Sequence, residues 1–140
     1  MAVASTNGHG LVGLVLVSHS ASIAAGLAEL VAQVAGPDVA IVTAAGGPDG
    51  TLGTDGGRVL EALRRADSAA GSVVLVDLGS SLLSVRAALG ELSDDEAARV
   101  VLADGPLVEG AIAAGVTAST GAALADVAAA AEEARSVRKL

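Results

Sequence analysis

The sequence predicts an α/β fold in which four parallel strands, in the order 2-1-3-4, are flanked by helices in the flavodoxin-like, doubly wound manner. Three observations lead there. Short, almost wholly apolar runs recur at Leu11–Ser18, Val39–Ala44, Ser72–Leu78 and Arg99–Ala103, the signature of strands buried on both faces. Stretches between them carry apolar residues at helical spacing. Alternation of this kind requires parallel strands with right-handed crossovers. The order 2-1-3-4 is the economical choice for four strands, and it places the topological reversal between strands one and three.

Met1–Gly10 is polar and aperiodic and reads as a flexible leader, with the domain running from residue 11 to 140. His9 falls in that leader and is assigned no role. The first strand stops at Ser18-His19-Ser20, and a helix follows over Ala21–Val34. Ile23, Leu27, Leu30, Val31 and Val34 are its apolar positions, and Ser20 or Ser22 is its cap. Gly36-Pro37-Asp38 ends it. The second strand gives way to a long glycine-dense loop, Ala45–Gly57, of the kind that is functional or mobile. A helix capped by Thr54 or Asp55 then runs to Ala66, with Val59, Leu60 and Leu63 facing inward. The third strand carries one anomaly, Asp77. Gly79-Ser80-Ser81 makes a turn, and a helix over Leu82–Leu92 takes Ser80 or Ser81 as its cap, Ser81 being favoured for that role. Ser93-Asp94-Asp95-Glu96 fits a capping box. After the fourth strand, Asp104-Gly105-Pro106 leads into a helix over Leu107–Ala118. An alanine-rich helix over Thr120–Arg135 closes the chain, its basic tail suiting a helix C-terminus.

Composition narrows the function. At 140 residues the chain is one domain with a real core. Sixteen acidic against eight basic residues give a net charge of −8, which argues against nucleic acid because no basic patch exists to neutralise phosphates. The absence of cysteine removes thiol chemistry, disulfides and Cys-based zinc sites. No apolar run approaches the roughly 20 residues of a membrane-spanning helix, and no basic segment precedes Leu11–Val17 as a signal peptide requires. A soluble, cytoplasmic protein is expected.

Two polar constellations converge at the reversal point: His19 after strand one and Asp77–Ser81 after strand three. Ligands bind at this edge of open α/β sheets. His19 read blandly is a helix-entry residue bonded to backbone; its place at the switch point favours a nucleophile or base. An ionised Asp77 in an apolar strand needs partners, and a carboxylate on one imidazole nitrogen would orient the ring and leave the other nitrogen nucleophilic. Ser18, Ser20, Ser80 and Ser81 offer hydroxyls. The N–H groups at Gly79 and Ser80 open a helix, a setting that binds phosphate. The loop with Gly46, Gly47 and Thr54 flanks the pair. It is neither a P-loop, lacking the Gly-Lys-Ser/Thr ending, nor a dinucleotide fingerprint. No metal site is expected, because His9 is the only other histidine, and no cofactor is expected. A phosphoryl group without nucleotide or metal site points to transfer through histidine.

The motifs Gly13-Leu14-Val15-Leu16-Val17-Ser18-His19-Ser20, Ala45-Gly46-Gly47 with Gly53-Thr54, Asp77-Leu78-Gly79-Ser80 and Pro106-Leu107-Val108-Glu109-Gly110-Ala111 resemble the phosphotransfer subunit family of bacterial dihydroxyacetone kinase, DhaM. The likeness runs from about Leu11 to Ala134. That family is similar to the mannose-type enzyme IIA of the phosphoenolpyruvate:sugar phosphotransferase system. The resemblance implies that His19 accepts phosphate from the phosphocarrier HPr and rephosphorylates ADP on the DhaL subunit, which serves DhaK. It also implies a homodimer, with Asp77 and the glycine loop lining the phosphohistidine pocket. The chain departs from the family pattern at Ser81, Leu83, Ser84 and Arg86, where alanine, methionine, asparagine and glutamate are common, and at Asp55, where serine is expected. Some relatives carry an HPr-like domain after this one, so a short form or a truncated chain is expected. A sugar-transport enzyme IIA of the mannose type and a non-catalytic ligand-binding module are the alternatives.

Overall fold

A computed structural model describes residues 10–140; the leader reading for residues 1–9, and His9 with it, lies outside the described residues. The element order is β1 (Gly13–Ser18), α1 (Ala21–Ala35), β2 (Ile41–Ala45), α2 (Gly56–Ala66), β3 (Ser72–Val76), α3 (Gly79–Leu89), α4 (Asp94–Ala97), β4 (Val100–Leu102), α5 (Leu107–Ser119) and α6 (Leu124–Glu133), with a 3-10 turn at Ala134–Ser136. The four strands form one parallel sheet in the order β2-β1-β3-β4, as the alternation predicts. Register brings Val17 beside both Ala44 and Val76, so three strands end together at one edge.

β1 is buried along its whole length, and its side chains alternate between two cores. Leu14 and Leu16 join Leu27 and Val31 of α1, Ala111 and Ala114 of α5, and Val127 and Ala131 of α6. Val15 and Val17 join Val59 and Leu63 of α2 and Val85 of α3 on the other face. No aromatic ring fills either core. Helices therefore approach closely, and a Cβ on Gly115 of α5 would stand 2.7 Å from a Val31 methyl. At Gly105 a Cβ would collide with the Ala131 carbonyl, which explains the glycine in that turn.

Several boundaries differ from the sequence reading, each for a local reason. β1 begins two residues later and β3 ends at Val76, which leaves Asp77 just beyond the sheet rather than within it. α3 begins at Gly79, and its N-cap is Leu78, with no side-chain cap bond. Ser80 and Ser81 are therefore inside the helix, and neither caps it. The last helix starts at Leu124, not Thr120, because Thr117 and Ala118 carbonyls close α5 on Thr120 and Gly121, which has φ of 83°. On α1 only Leu27 and Val31 of the five named apolar positions are buried; Ile23, Leu30 and Val34 are about half exposed. The caps Ser20 and Asp55, and the Ser93–Glu96 capping box, form as read.

Candidate functional site

The shared end of β1 and β3 carries the site. Ser18, the last residue of β1, is fully buried, and its hydroxyl donates to Asp77 Oδ2 at 2.9 Å while accepting from the Ser20 N–H at 3.0 Å. This satisfied pair fixes the sharp exit of the chain from strand to helix. Ser20 itself caps α1 through the Ile23 N–H at 3.3 Å. His19 sits between them with its backbone N–H on Asp77 Oδ2 at 2.8 Å.

The ring of His19 lies with Nδ1 3.0 Å from Asp77 Oδ1 and Nε2 2.7 Å from the Ser80 hydroxyl. A carboxylate only accepts, so Nδ1 carries the proton and the Nε2 lone pair faces Ser80 and solvent. The imidazole is one quarter exposed. Asp77 Oδ1 also accepts from the Leu78 N–H at 2.7 Å and from Ser81 at 3.0 Å. Burial by itself opposes a charge on Asp77. The bonds from His19, Ser18 and Ser81 outweigh it and bring the carboxyl from 3.8 to about 2.

That depression links folding to acid. The unfolded chain protonates this carboxyl first, so Asp77 stabilises the fold fully above about pH 4 and the contribution is lost as pH falls through about 2. Thermal melts at pH 5, 3 and 2 should show a steeper loss of Tm for the natural protein than for Asp77→Ala. Equal slopes would mean that another carboxylate dominates acid unfolding.

The glycine loop grips the same junction by backbone alone. Gly46 N–H bonds the Ser18 carbonyl at 3.2 Å, and Gly53 N–H bonds the His19 carbonyl at 2.9 Å. Gly46 and Gly53 adopt φ of 80° and 142° to do so, a region that favours glycine. Gly47 closes the loop on the Thr51 carbonyl at 2.7 Å. Thr54 reaches the Ser84 hydroxyl on α3 at 2.8 Å, joining the two walls on either side of His19. Arg58 of α2 holds the loop entry through the Ala45 and Pro48 carbonyls.

His19, Asp77, Ser80 and the α3 N-terminus at Gly79 thus come together, with Gly46 supporting the backbone behind the ring. Ser20, Gly47 and Thr54 lie around the pair and contact caps, loop and α3 rather than the imidazole. The preference for capping at Ser81 is overturned, since α3 has no side-chain cap and the Ser81 hydroxyl stands 3.2 Å from Nδ1. Gly53, expected only as part of the flanking glycine loop, bonds the His19 carbonyl directly. The spacing of Ser81 four residues after Asp77, on the first turn of a helix, is the signal that places both on one side. No group of three or more metal-ligating side chains forms among the described residues. No helix among them is long and apolar enough to cross a membrane.

Comparison with known proteins gives the family. Residues 13–128 match the EIIA-man family model, described as the PTS system fructose IIA component. The chain is 43% identical over 120 residues to the phosphoryl donor subunit DhaM of a PEP-dependent dihydroxyacetone kinase from Providencia stuartii, covering 84% of this chain and 25% of the relative. It is 41% identical to the Escherichia coli subunit of the same name, over 80% of this chain and 24% of the relative. The chain therefore spans about a quarter of the length of these relatives. A shorter DhaM from Listeria innocua is 34% identical, with 76% of this chain and 85% of the relative covered. A solved structure described as unknown function protein EF1359 superposes with a TM-score of 0.79 at 34% identity, over 87% of this chain and 93% of that one. The chain belongs to the EIIA-man family of PTS fructose IIA components, among the DhaM subunits.

Proposed function

We propose that the chain is a cytoplasmic phosphohistidine carrier, its domain spanning residues 11–140, which takes a phosphoryl group from HPr onto His19 and passes it to ADP on DhaL, the kinase subunit that works with DhaK. The observation that carries this reading is the state of the imidazole. Nδ1 is held by Asp77, and Nε2 is turned toward the N-terminus of α3, which no side chain caps. The Nε2 lone pair attacks phosphorus while the donor's P–N bond breaks and its electron pair stays on the donor nitrogen. The proton on Nδ1 remains with Asp77 throughout. Ser80 must release Nε2 as the new bond forms, and its hydroxyl then faces a phosphoryl oxygen. The first N–H groups of α3, which lack intrahelical partners, face the same charge. In the second transfer an ADP phosphate oxygen attacks phosphorus, and the Nε2–P electron pair returns to the ring.

Macromolecular partners fit the surroundings. Ile23, Leu52, Leu78 and Leu83 are each more than half exposed, and each lies within a few residues of a group that touches His19. Exposed apolar side chains this near a reactive group suit protein contacts. Homodimerisation belongs to the same proposal and draws on the half-exposed Leu30 and Val34 of α1. Sedimentation equilibrium should give twice the chain mass; a monomer at high micromolar concentration would remove the dimer from the proposal.

The carrier reading is tested by intact-mass measurement after incubation with phosphoenolpyruvate, enzyme I and HPr. One acid-labile, alkali-stable phosphate per chain is expected, discharged when DhaL and ADP are added. No adduct, with HPr itself shown to be phosphorylated, would overturn the reading.

A further inference from the structure

Ser81 is fully buried, yet its hydroxyl is committed to neither helix capping nor core packing. It donates to Asp77 Oδ1 at 3.0 Å and stands 3.2 Å from His19 Nδ1, while Nδ1 and Oδ1 are themselves 3.0 Å apart. The three atoms form a closed triangle. A buried serine in contact with both members of a nucleophile–carboxylate pair bears on how strongly that pair is coupled.

We propose that Ser81 is a positioning residue that weakens the hold of Asp77 on the His19 ring and so eases departure of the phosphoryl group from Nε2; this rests on the phosphohistidine reading. The hydroxyl satisfies part of the charge on Oδ1, so the carboxylate draws less on the Nδ1 proton. Its oxygen also offers that proton a second acceptor, which turns a direct Nδ1–H···Oδ1 bond into a shared one. Both effects leave Nε2 less electron-rich. When an acceptor oxygen attacks phosphorus, the Nε2–P pair returns to a ring that holds it more readily as a leaving group, and the proton stays on Nδ1. The Leu78 N–H also donates to Oδ1, at 2.7 Å, but has no bond to the ring, whereas Ser81 touches both Oδ1 and Nδ1. The Ser20 N–H bonds Ser18 rather than His19, Gly53 of the loop meets the His19 carbonyl by its backbone, and Ser80 of α3 meets Nε2. Asp77 is the only charged side chain in hydrogen-bond or ion-pair contact with the ring among the described residues.

Ser81→Ala removes the hydroxyl, and Ser81→Cys removes the strong donor while keeping an atom in the buried space. Two readouts are taken on both variants. In the unphosphorylated protein, the Nδ1 proton resonance of His19 should move downfield as the bond to Asp77 becomes direct. In exchange with phospho-HPr, the equilibrium should move on the order of three- to tenfold toward phospho-His19, and discharge to DhaL-bound ADP should slow by a similar factor. An unmoved resonance in both variants overturns the proposal, because Ser81 then only fills space. A moved resonance with an unchanged exchange equilibrium overturns the effect on phosphoryl departure. Should HPr fail to phosphorylate the natural protein, the carrier reading fails instead, and the resonance still decides whether Ser81 governs the Asp77–His19 bond.

Discussion

His19→Ala is expected to take up no phosphate from phospho-HPr and to support no transfer to ADP, a loss limited only by the detection of the adduct. The prediction is sharp because the variant leaves almost everything else in place. Residue 19 keeps the backbone N–H that bonds Asp77 Oδ2 and the carbonyl that accepts from Gly53. Asp77 keeps donors from Ser18, Ser81 and Leu78, so no buried charge is stranded. The ring is partly exposed, and its removal opens no closed cavity. The ring takes with it its bond to the Asp77 carboxylate and its contacts with the Ser80 and Ser81 hydroxyls, a stability cost of about 1–3 kcal/mol. Circular dichroism and a melting curve would establish that the fold survives. Peptide mapping then decides the matter. A phosphate retained on the variant would move the nucleophile to His9 or to a hydroxyl such as Ser80, and the whole transfer scheme would need a different atom.

The sheet was legible because its signal is periodic and strong. Four apolar runs separated by helical patterns have few arrangements, and the crossover rule leaves the 2-1-3-4 order as the economical one. His19 and Asp77 were legible for a related reason: strand order alone brings the ends of strands one and three together. What the sequence hid lies on α3. A serine after a glycine at a helix start has two uses, to cap the helix or to leave it uncapped and serve something else. Local sequence does not distinguish them, because the competing partner is His19, some sixty residues away. Once the imidazole occupies the space before α3, Ser80 and Ser81 turn to it and the cap falls to Leu78. The exposed face of α1 was misread on similar grounds. Ile23, Leu30 and Val34 keep helical spacing with Leu27 and Val31, and periodicity alone does not say whether the sheet or another surface covers an apolar stripe.

Asp77→Asn should slow transfer through His19 on the order of a hundredfold or more and should also cost stability. Five groups point at this carboxylate, and all of them donate: the His19 and Leu78 N–H groups, the Ser18 and Ser81 hydroxyls, and the imidazole Nδ1–H. Asparagine offers one acceptor oxygen and one donor amide in the same shape. If its amide takes the Oδ2 place, it meets the His19 backbone N–H, which cannot turn away. In the Oδ1 place it meets the Leu78 N–H and Nδ1. Either choice sets donor against donor in a partly buried pocket, a penalty of about 1–3 kcal/mol. The first choice keeps an acceptor on Nδ1 and loses the charge that steadies the ring while phosphorus approaches. The second drives the Nδ1 proton to Nε2 and blocks the lone pair outright. Rapid-quench phosphorylation by phospho-HPr separates the kinetic effect from the structural one when it is run well below the melting temperature of the variant. A variant that melts lower but transfers at the natural rate would show that the carboxylate serves the fold alone, and that His19 needs no orienting charge to carry a phosphoryl group.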